Sequence, residues 1–177
     1  MSSQHNTTSV VPGQKGGKYL TFALGNEEYG LEILKVREII GYMDVTAVPC
    51  MSDHIKGVIN LRGQVISIVD LRARFRMQPT PRTEQTCFIV VDIRRDDRRL
   101  NTGIVVDRVS EVLNIDAASI EEPPELGSAV EGGFILGMAK IGQCVKILLD
   151  IDRVLTSDDV AGLAAIAQEA PKVAAAA

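Results

Sequence analysis

The sequence predicts an all-β fold of two pseudo-duplicated, five-stranded SH3-like barrels packed side by side, followed by a short C-terminal helix. Three observations predict it. Short runs of Val, Ile and Leu alternate with turn signals, blocks of the chain repeat each other, and each repeat is shorter than a usual domain. Aromatic residues make up 4% of the 177 residues and Trp is absent, so branched aliphatic side chains must fill the core.

The internal repeat is carried by three blocks in the same order. GLEILKVREII, which starts at Gly30, aligns without gaps onto GIVVDRVSEVL, which starts at Gly103, with three identical and five conservative matches. IKGVINLRGQ then resembles ILGMAKIGQ, and VISIVDL resembles VKILLDI. The first blocks lie 73 residues apart, whereas Gly57 and Gly137 lie 80 apart. One longer loop, ending in PPELGSAVEGG, explains that difference, and the order of the blocks indicates a duplication.

The predicted elements follow the same order in both repeats. KYLTFAL, the turn GNEE and YGLEILKVREII begin the first repeat, and INL and VISIVDL meet at an Arg-Gly turn. The linker MQPTPRTEQT leads to CFIVVDI, the charged hairpin tip RRDDRR and TGIVVDRVSEVLNI. After an acidic proline loop come FILGMAKI, a Gly-Gln turn and CVKILLDI. We predict one helical turn after Asp70, one after Asp150, and a helix around Val160 to Gln168.

Composition and charge exclude several classes of protein. A net charge of −4 and a pI near 5.2 give the chain no general electrostatic attraction for nucleic acid. Cys50, Cys87 and Cys144 are odd in number and far apart in the chain, and Cys87 and Cys144 lie in apolar runs, so we expect reduced, buried thiols in a cytosolic protein rather than disulfides or a zinc site. No apolar window approaches the length of a membrane span.

No residue pattern supports catalysis, a metal or a cofactor. The two histidines, His5 and His54, lack carboxylate or cysteine partners at metal or triad spacing, and a solvated His54 is expected. Asp70 and Asp150 each precede a predicted helical turn, which their side chains are expected to cap. Asp92 and Asp107 are expected on ordinary exposed strand faces, and RRDDRR is expected to be a charge-balanced, solvated turn.

Arg62 is an unusual residue for its predicted turn. Two-residue hairpins favour positive φ at their central positions, which Asn-Gly supplies more readily than Arg62-Gly63. In the alignment of the repeats, KIG ending at Gly142 stands where the first repeat has LRG, so the arginine occurs in one copy only. Arg62 is therefore either a tolerated turn residue or a residue with a function.

EEYGLEILKVREIIG, IKGVINLRGQVISIVDLR and GIVVDRVSEVL together resemble the CheW family of bacterial chemotaxis coupling proteins. The resemblance covers about Lys18 to Leu155, and NLRG followed by an apolar strand ending in DLR is a specific motif. The regulatory domain of the CheA kinase shares this fold. A kinase needs phosphotransfer, dimerisation and ATP-binding domains, however, and 177 residues leave no room for them or for a fused receiver domain.

The resemblance implies a non-enzymatic adaptor that works without a cofactor or metal. In this family the cytoplasmic tip of a chemoreceptor binds between the barrels, and the regulatory domain of the CheA kinase binds at barrel ends. We accordingly expect a cytoplasmic protein, monomeric in isolation, that associates with membrane-bound receptor arrays without inserting into the membrane. The alternative is a small-barrel nucleic-acid-binding protein, which the acidic pI and the scarcity of aromatic residues oppose. Retention on heparin at low salt would separate the two.

The resemblance also implies residues for each partner. The receptor groove would be lined by Ile33, Val36, Glu38, Ile39, Gly57 and Arg62 from the first unit, and by Cys87, Gly103, Val109 and Val112 from the second. Leu126, in the acidic proline loop, is the expected kinase contact. Glu38 and Arg62 are expected to pair at the rim of the groove, because period-two alternation would place Glu38 on the same face as Val36.

The expected domain division follows from the same resemblance. Residues 1–17 would be a disordered leader, 18–156 a CheW-like domain, and 157–177 a C-terminal helix and tail. The first barrel would comprise about 18–63 with about 143–156, and the second about 64–142. In this arrangement VISIVDL and CVKILLDI each lie in the barrel opposite their own repeat.

Overall fold

The computed structural model describes residues 16–95, 97–122 and 133–174, and within these ranges it leaves the side chains of 95 and 166–174 undescribed. All but the end of the expected leader, and the predicted kinase contact Leu126, lie outside the described residues. The first repeat supplies β1 (Gly17–Leu24), β2 (Glu27–Glu32), β3 (Val36–Gly41), β4 (Ile55–Leu61) and β5 (Gln64–Asp70). The second supplies β6 (Cys87–Arg95), β7 (Arg98–Val106), β8 (Arg108–Ile115), β9 (Ile120–Glu121), β10 (Ile135–Ile141) and β11 (Cys144–Leu149).

These strands form two sheets that exchange strands between the repeats. One sheet, here the first barrel, has the order β8-β1-β2-β11-β10-β9, and the other, the second barrel, has the order β3-β6-β7-β5-β4. Parallel pairing of β11 with β2 and of β5 with β7 joins each final strand to the opposite repeat. The predicted all-β fold of two pseudo-duplicated barrels is confirmed, and the first barrel adds the two-residue strand β9 to its five predicted strands.

The exchange extends further than the expected domain division. Strands β3 and β4 lie in the second barrel and β8 and β10 lie in the first, so neither barrel follows the boundaries at 63/64 and 142/143. Those boundaries would divide two tight hairpins, since Leu61 pairs with Gln64 and Ile141 with Cys144. A two-residue hairpin holds its strands side by side. Each penultimate strand therefore accompanies its final strand into the opposite barrel.

Two short helices follow the final strands, as predicted. They are α1 (Leu71–Arg74) and α2 (Ile151–Val154). The Asp70 Oδ1 atom accepts a hydrogen bond of 2.9 Å from the Arg72 backbone N–H, and the Asp150 Oδ1 atom accepts one of 3.1 Å from the Asp152 N–H. The two aspartates are therefore helix caps, which is the role predicted for them.

The C-terminal helix, α3 (Ser157–Ala174), has 18 residues and is longer than the short helix predicted around Val160 to Gln168. It begins at Ser157, the first residue of the expected C-terminal segment, because Thr156 and Asp159 form a reciprocal cap. The Asp159 backbone N–H donates to Thr156 Oγ1 and the Thr156 N–H donates to Asp159 Oδ2, each at 3.1 Å.

Cys50 and Cys144 are exposed and Cys87 is only half-buried, so the expected burial of the three thiols was wrong.

Three apolar clusters build the core of the described residues. One cluster lies between the barrels and includes Phe22 from the first barrel and Val91 from the second. Another fills the first barrel around Leu148, and a third fills the second barrel around Ile68. A Cβ on Gly30 would lie 2.8 Å from Leu148, and one on Gly103 would lie 2.6 Å from Ile68. The two barrels therefore use the same close approach of a glycine to the final strand.

One buried threonine in this core is expected to be replaceable with a gain in stability. Thr102 is fully buried, and among the described residues its hydroxyl has no hydrogen-bond partner. Thr102→Val is expected to raise the free energy of unfolding by about 1 kcal/mol, because it removes a desolvated, unpaired hydroxyl.

Thr21 is the matched control for this substitution, to be compared by urea denaturation. It is equally buried, but its hydroxyl donates to the Glu111 carbonyl at 2.8 Å and accepts from the Glu111 N–H at 3.1 Å. Thr21→Val should lower the free energy of unfolding by about 1–2 kcal/mol. Loss of stability in both variants would contradict the assignment of Thr102 as unpaired.

Candidate protein-binding surface

The register of β3 determines which of its side chains face the other barrel. Cross-strand partners share a face of the sheet. Val36 pairs with Val91 and Ile39 pairs with Ile89, and both partners belong to the cluster between the barrels. In a regular strand Val36 and Ile39, three positions apart, would point to opposite faces. A β-bulge between residues 36 and 38 brings them to the same face.

Strand β8 repeats this arrangement in the first barrel. Val109 pairs with Phe22 and Val112 with Leu20, across the same kind of register shift, and both partners belong to the cluster between the barrels. Val36 and Val109 are equivalent in the duplication, as are Ile39 and Val112. Two edge strands therefore present matching apolar side chains along the junction of the barrels.

These side chains form one partly exposed surface. Ile39 is 46% exposed and Val112 is 51% exposed, whereas the side chains beside them pack against the shared core. The Cys87 sulfur accepts a hydrogen bond from the Val109 backbone, so β6 of the second barrel contacts β8 of the first barrel here. Burial raises the pKa of the Cys87 thiol. We call this surface the inter-barrel strip, and its residues are Ile33, Val36, Ile39, Cys87, Val109 and Val112.

Gly57 and Gly103 do not reach this surface. Both are buried. A Cβ on Gly57 would lie 1.9 Å from the Thr46 carbonyl oxygen, and the equivalent atom on Gly103 would lie 2.6 Å from Ile68. A substitution at either glycine could therefore alter the inter-barrel strip only by shifting the backbone.

Glu38 and Arg62 form the expected ion pair, but on a different face. The Arg62 guanidinium donates to Glu38 Oε1. Glu38 pairs with Val90, which lies in the core of the second barrel, whereas Val36 faces the first barrel. The expected alternation was wrong because the bulge moves Glu38 to the opposite face. The pair links β3 to the β4–β5 hairpin, at the two edges of the second barrel's sheet.

The turn at Arg62 has the predicted geometry. Arg62 has φ 50° and Gly63 has φ 83°, and the Gly63 N–H donates to Asn60 Oδ1 at 2.9 Å. The register of the equivalent hairpin aligns Arg62 with Gly142, which has φ 62°, rather than with Ile141 as the sequence comparison suggested. A non-glycine residue in this conformation costs about 1 kcal/mol or more. The arginine therefore occupies a position where glycine would be less strained.

Asp92 has partners that the sequence does not reveal. This carboxylate was expected on an exposed face, but its side chain is only 10% exposed. Arg99 Nε donates to both of its oxygens at 2.9 and 2.8 Å, and the nearest nitrogens of Arg37 and Arg94 lie at 3.6 and 4.0 Å. The hydrogen bond from Arg99 holds the pKa of Asp92 below its usual range, although burial opposes this. Arg37 comes from another strand, so no local sequence signal could have revealed the cluster.

Asp107 and His54 also have partners that were not predicted. Arg72 Nε donates to Asp107 Oδ1 at 2.9 Å, and the Gly25 N–H donates to Asp107 Oδ2 at 2.7 Å. The hydrogen bond from Arg72 lowers the pKa of Asp107 despite partial burial. His54 is not fully solvated, because its Nε2 lies 2.9 Å from Asp159 Oδ2 on α3. These contacts hold the barrels and the C-terminal helix together.

A cleft of about 920 Å³ lies between the linker and both barrels. Two of its cationic side chains already have partners, since Arg72 pairs with Asp107 and the Arg82 guanidinium lies 4.1 Å from the centroid of the Tyr42 ring. Within residues 16–95, 97–122 and 133–174, no cluster of His, Cys, Asp or Glu could hold a metal ion. None of the helices in those ranges is long and apolar enough to cross a membrane.

Two strand-exchanged small barrels with an exposed apolar strip at their junction define a scaffold for protein binding. The model of the CheW-like domain family matches residues 18–159, and the chain belongs to this family. It is 42% identical over 156 residues to the chemotaxis protein CheW of Klebsiella aerogenes, covering 88% of this chain and 92% of the relative. It is 34% identical over 140 residues to a probable chemotaxis protein CheW of Rhizobium etli, covering 79% of this chain and 88% of that one.

A solved structure supports the same assignment. The scaffolding protein TtCheW from Thermoanaerobacter tengcongensis superposes with a TM-score of 0.71 at 31% identity, covering 82% of this chain and 96% of that one. The resemblance inferred from NLRG and the duplicated blocks is confirmed.

Proposed function

We propose that this protein is a non-enzymatic, cytoplasmic adaptor that couples chemoreceptors to the CheA histidine kinase in chemotaxis signalling arrays. The observation that carries the proposal is the inter-barrel strip, which leaves matching apolar side chains of two edge strands exposed in a member of the CheW-like family. An adaptor of this kind transmits a signal through contacts that favour one state of the kinase.

The strip suits a helical partner. An amphipathic helix binds by laying its apolar face into a hydrophobic groove. Ile39 and Val112 are equivalent residues on strands of different barrels, so a helical hairpin placed along the junction could contact both. Burying the exposed half of each side chain would contribute about 1 kcal/mol. The cytoplasmic tip of a chemoreceptor is the proposed occupant, and the kinase regulatory domain is proposed to bind at a barrel end, with Leu126 as one contact.

Co-sedimentation with receptor cytoplasmic fragments and a CheA-type kinase, with kinase activity as the readout, tests this proposal. Ile39→Glu and Val112→Glu should each weaken receptor-fragment binding by about tenfold or more, because each places a charge in an apolar contact. Both residues are half exposed, so the thermal unfolding midpoint should change little.

Val145→Glu provides the matched control, because Val145 is 45% exposed on β11 of the first barrel and lies outside the inter-barrel strip. Its receptor binding should equal that of the unmodified protein. Equal losses in all three variants would show a general charge effect and contradict the strip as the receptor site. Failure of the unmodified protein to bring receptor and kinase together would contradict the function itself.

A further inference from the structure

Four arginines lie at one end of the second barrel, and two carboxylates hold them there. Arg37, Arg94 and Arg99 surround the Asp92 carboxylate at distances of 4.0 Å or less. Arg62 joins them through Glu38, which directly follows Arg37 in β3. We call Arg37, Arg62, Arg94 and Arg99 the arginine band. Four guanidinium groups face two carboxylates. Asp152, which accepts from the Arg94 N–H at 2.7 Å, is paired with Lys35, and Asp97 is followed by Arg98 in the hairpin, so an excess of two positive charges remains in a chain whose net charge is −4.

The band is exposed although its carboxylates are partly buried. The four arginine side chains are between 48% and 70% exposed, whereas Asp92 is 10% and Glu38 is 32% exposed. The carboxylates therefore bind the guanidinium groups on the side that faces the protein, and the opposite side of each guanidinium group is exposed to solvent. Such preorganisation reduces the entropy lost when a partner binds.

The first barrel serves as an internal control for this surface. Ser110 and Gly142 occupy the positions equivalent to Arg37 and Arg62. The β1–β2 hairpin turns at the pair Leu24–Glu27, whereas the β6–β7 hairpin continues to the pair Arg95–Arg98 and thereby adds Arg94 and Arg99. Because the same barrel forms without any of these arginines, the fold does not require the band.

We propose that the arginine band binds a carboxylate-rich segment of a protein partner. The planar fork of arginine matches carboxylates in bidentate geometry. An anionic membrane attracts clusters of about four to eight unpaired basic residues, and each contributes about 1 kcal/mol near the surface. Two excess charges are fewer than a membrane-binding cluster carries. They are also too few to bind a nucleic acid, because that affinity rises with each phosphate neutralised. They suffice for a short segment that carries two or three carboxylates. This proposal does not depend on the adaptor function.

The test measures fluorescence anisotropy of a labelled Ala-Glu peptide, with glutamates along one helical face, titrated with the full chain. The same peptide with Gln in place of every Glu is the reference probe. The Glu peptide should bind more tightly than the Gln peptide, and added salt should weaken it. The double variant Arg37→Gln/Arg94→Gln should bind it about fivefold or more weakly. Arg99 remains in this variant to hold Asp92, so the fold should persist.

The control is the double variant Arg108→Gln/Arg153→Gln. It removes the same charge from arginines with the same exposures, 48% and 63%, outside the band. Its affinity should stay within about twofold of the unmodified chain. Equal losses in the two double variants, or no preference for the Glu peptide, would overturn the proposal. So would band-dependent sedimentation with phosphatidylserine vesicles in the absence of peptide binding, which would assign the band to a lipid surface.

Discussion

Charge reversal at Arg62 is expected to abolish coupling of the kinase to receptors while lowering the free energy of unfolding by about 1 kcal/mol at most. The variant Arg62→Glu places a second carboxylate beside Glu38 and breaks the ion pair at the end of the second barrel, where we propose that the kinase regulatory domain binds. Arg62 is 70% exposed, so little buried structure depends on it. Its effect should therefore appear in kinase activity measured with receptor fragments and hardly at all in the thermal unfolding midpoint.

Restoring the pair in the opposite orientation provides the internal check. Adding Glu38→Arg to Arg62→Glu should recover part of the coupling, since an ion pair again links β3 to the β4–β5 hairpin. Lys140→Glu is the matched control, because Lys140 is 62% exposed and pairs with Glu121 at 2.8 Å near the equivalent hairpin of the first barrel. Normal coupling by Arg62→Glu, or its unfolding, would make Arg62 a turn residue without a role in recognition.

Local sequence signals predicted much of this fold because the duplication repeats them. Gly30 and Gly103 meet the same kind of side chain in each barrel, and Asp70 and Asp150 cap equivalent helical turns. Such features depend on neighbours in the chain or on one cross-strand contact, so the pattern of residues records them. The exchange of the final strands was also expected, but only through the family resemblance.

The features that were missed depend on register or on distant partners. The bulge in Val36-Arg37-Glu38 carries no glycine or proline to mark it, yet it reverses the face of Glu38. Asp92 lies seven residues from Arg99 in the chain but is also approached by Arg37 from another strand. A register shift of one residue changes the face of every later side chain in the strand. The periodicity of the sequence does not reveal such a shift.

Gly57→Ala is expected to lower the free energy of unfolding by about 3 kcal/mol or more. Gly57 has φ 142°, and a Cβ there would lie 1.9 Å from the Thr46 carbonyl oxygen. That oxygen accepts a 2.9 Å hydrogen bond from the Val58 N–H, and the Thr46 N–H donates to the Val58 carbonyl at 2.9 Å. The added methyl group must displace this bridge, and the thermal unfolding midpoint should fall by about 10 °C.

Gly63→Ala separates backbone strain from this collision. Gly63 also has positive φ, at 83°, but an added Cβ would have no neighbour within 4 Å, so its cost should be about 1–2 kcal/mol. Because Gly57 is buried, Gly57→Ala should lose receptor coupling only in proportion to the fraction unfolded. If the variant stays folded at the assay temperature and still fails to couple, Gly57 would belong to the receptor-binding surface, as the family resemblance implies.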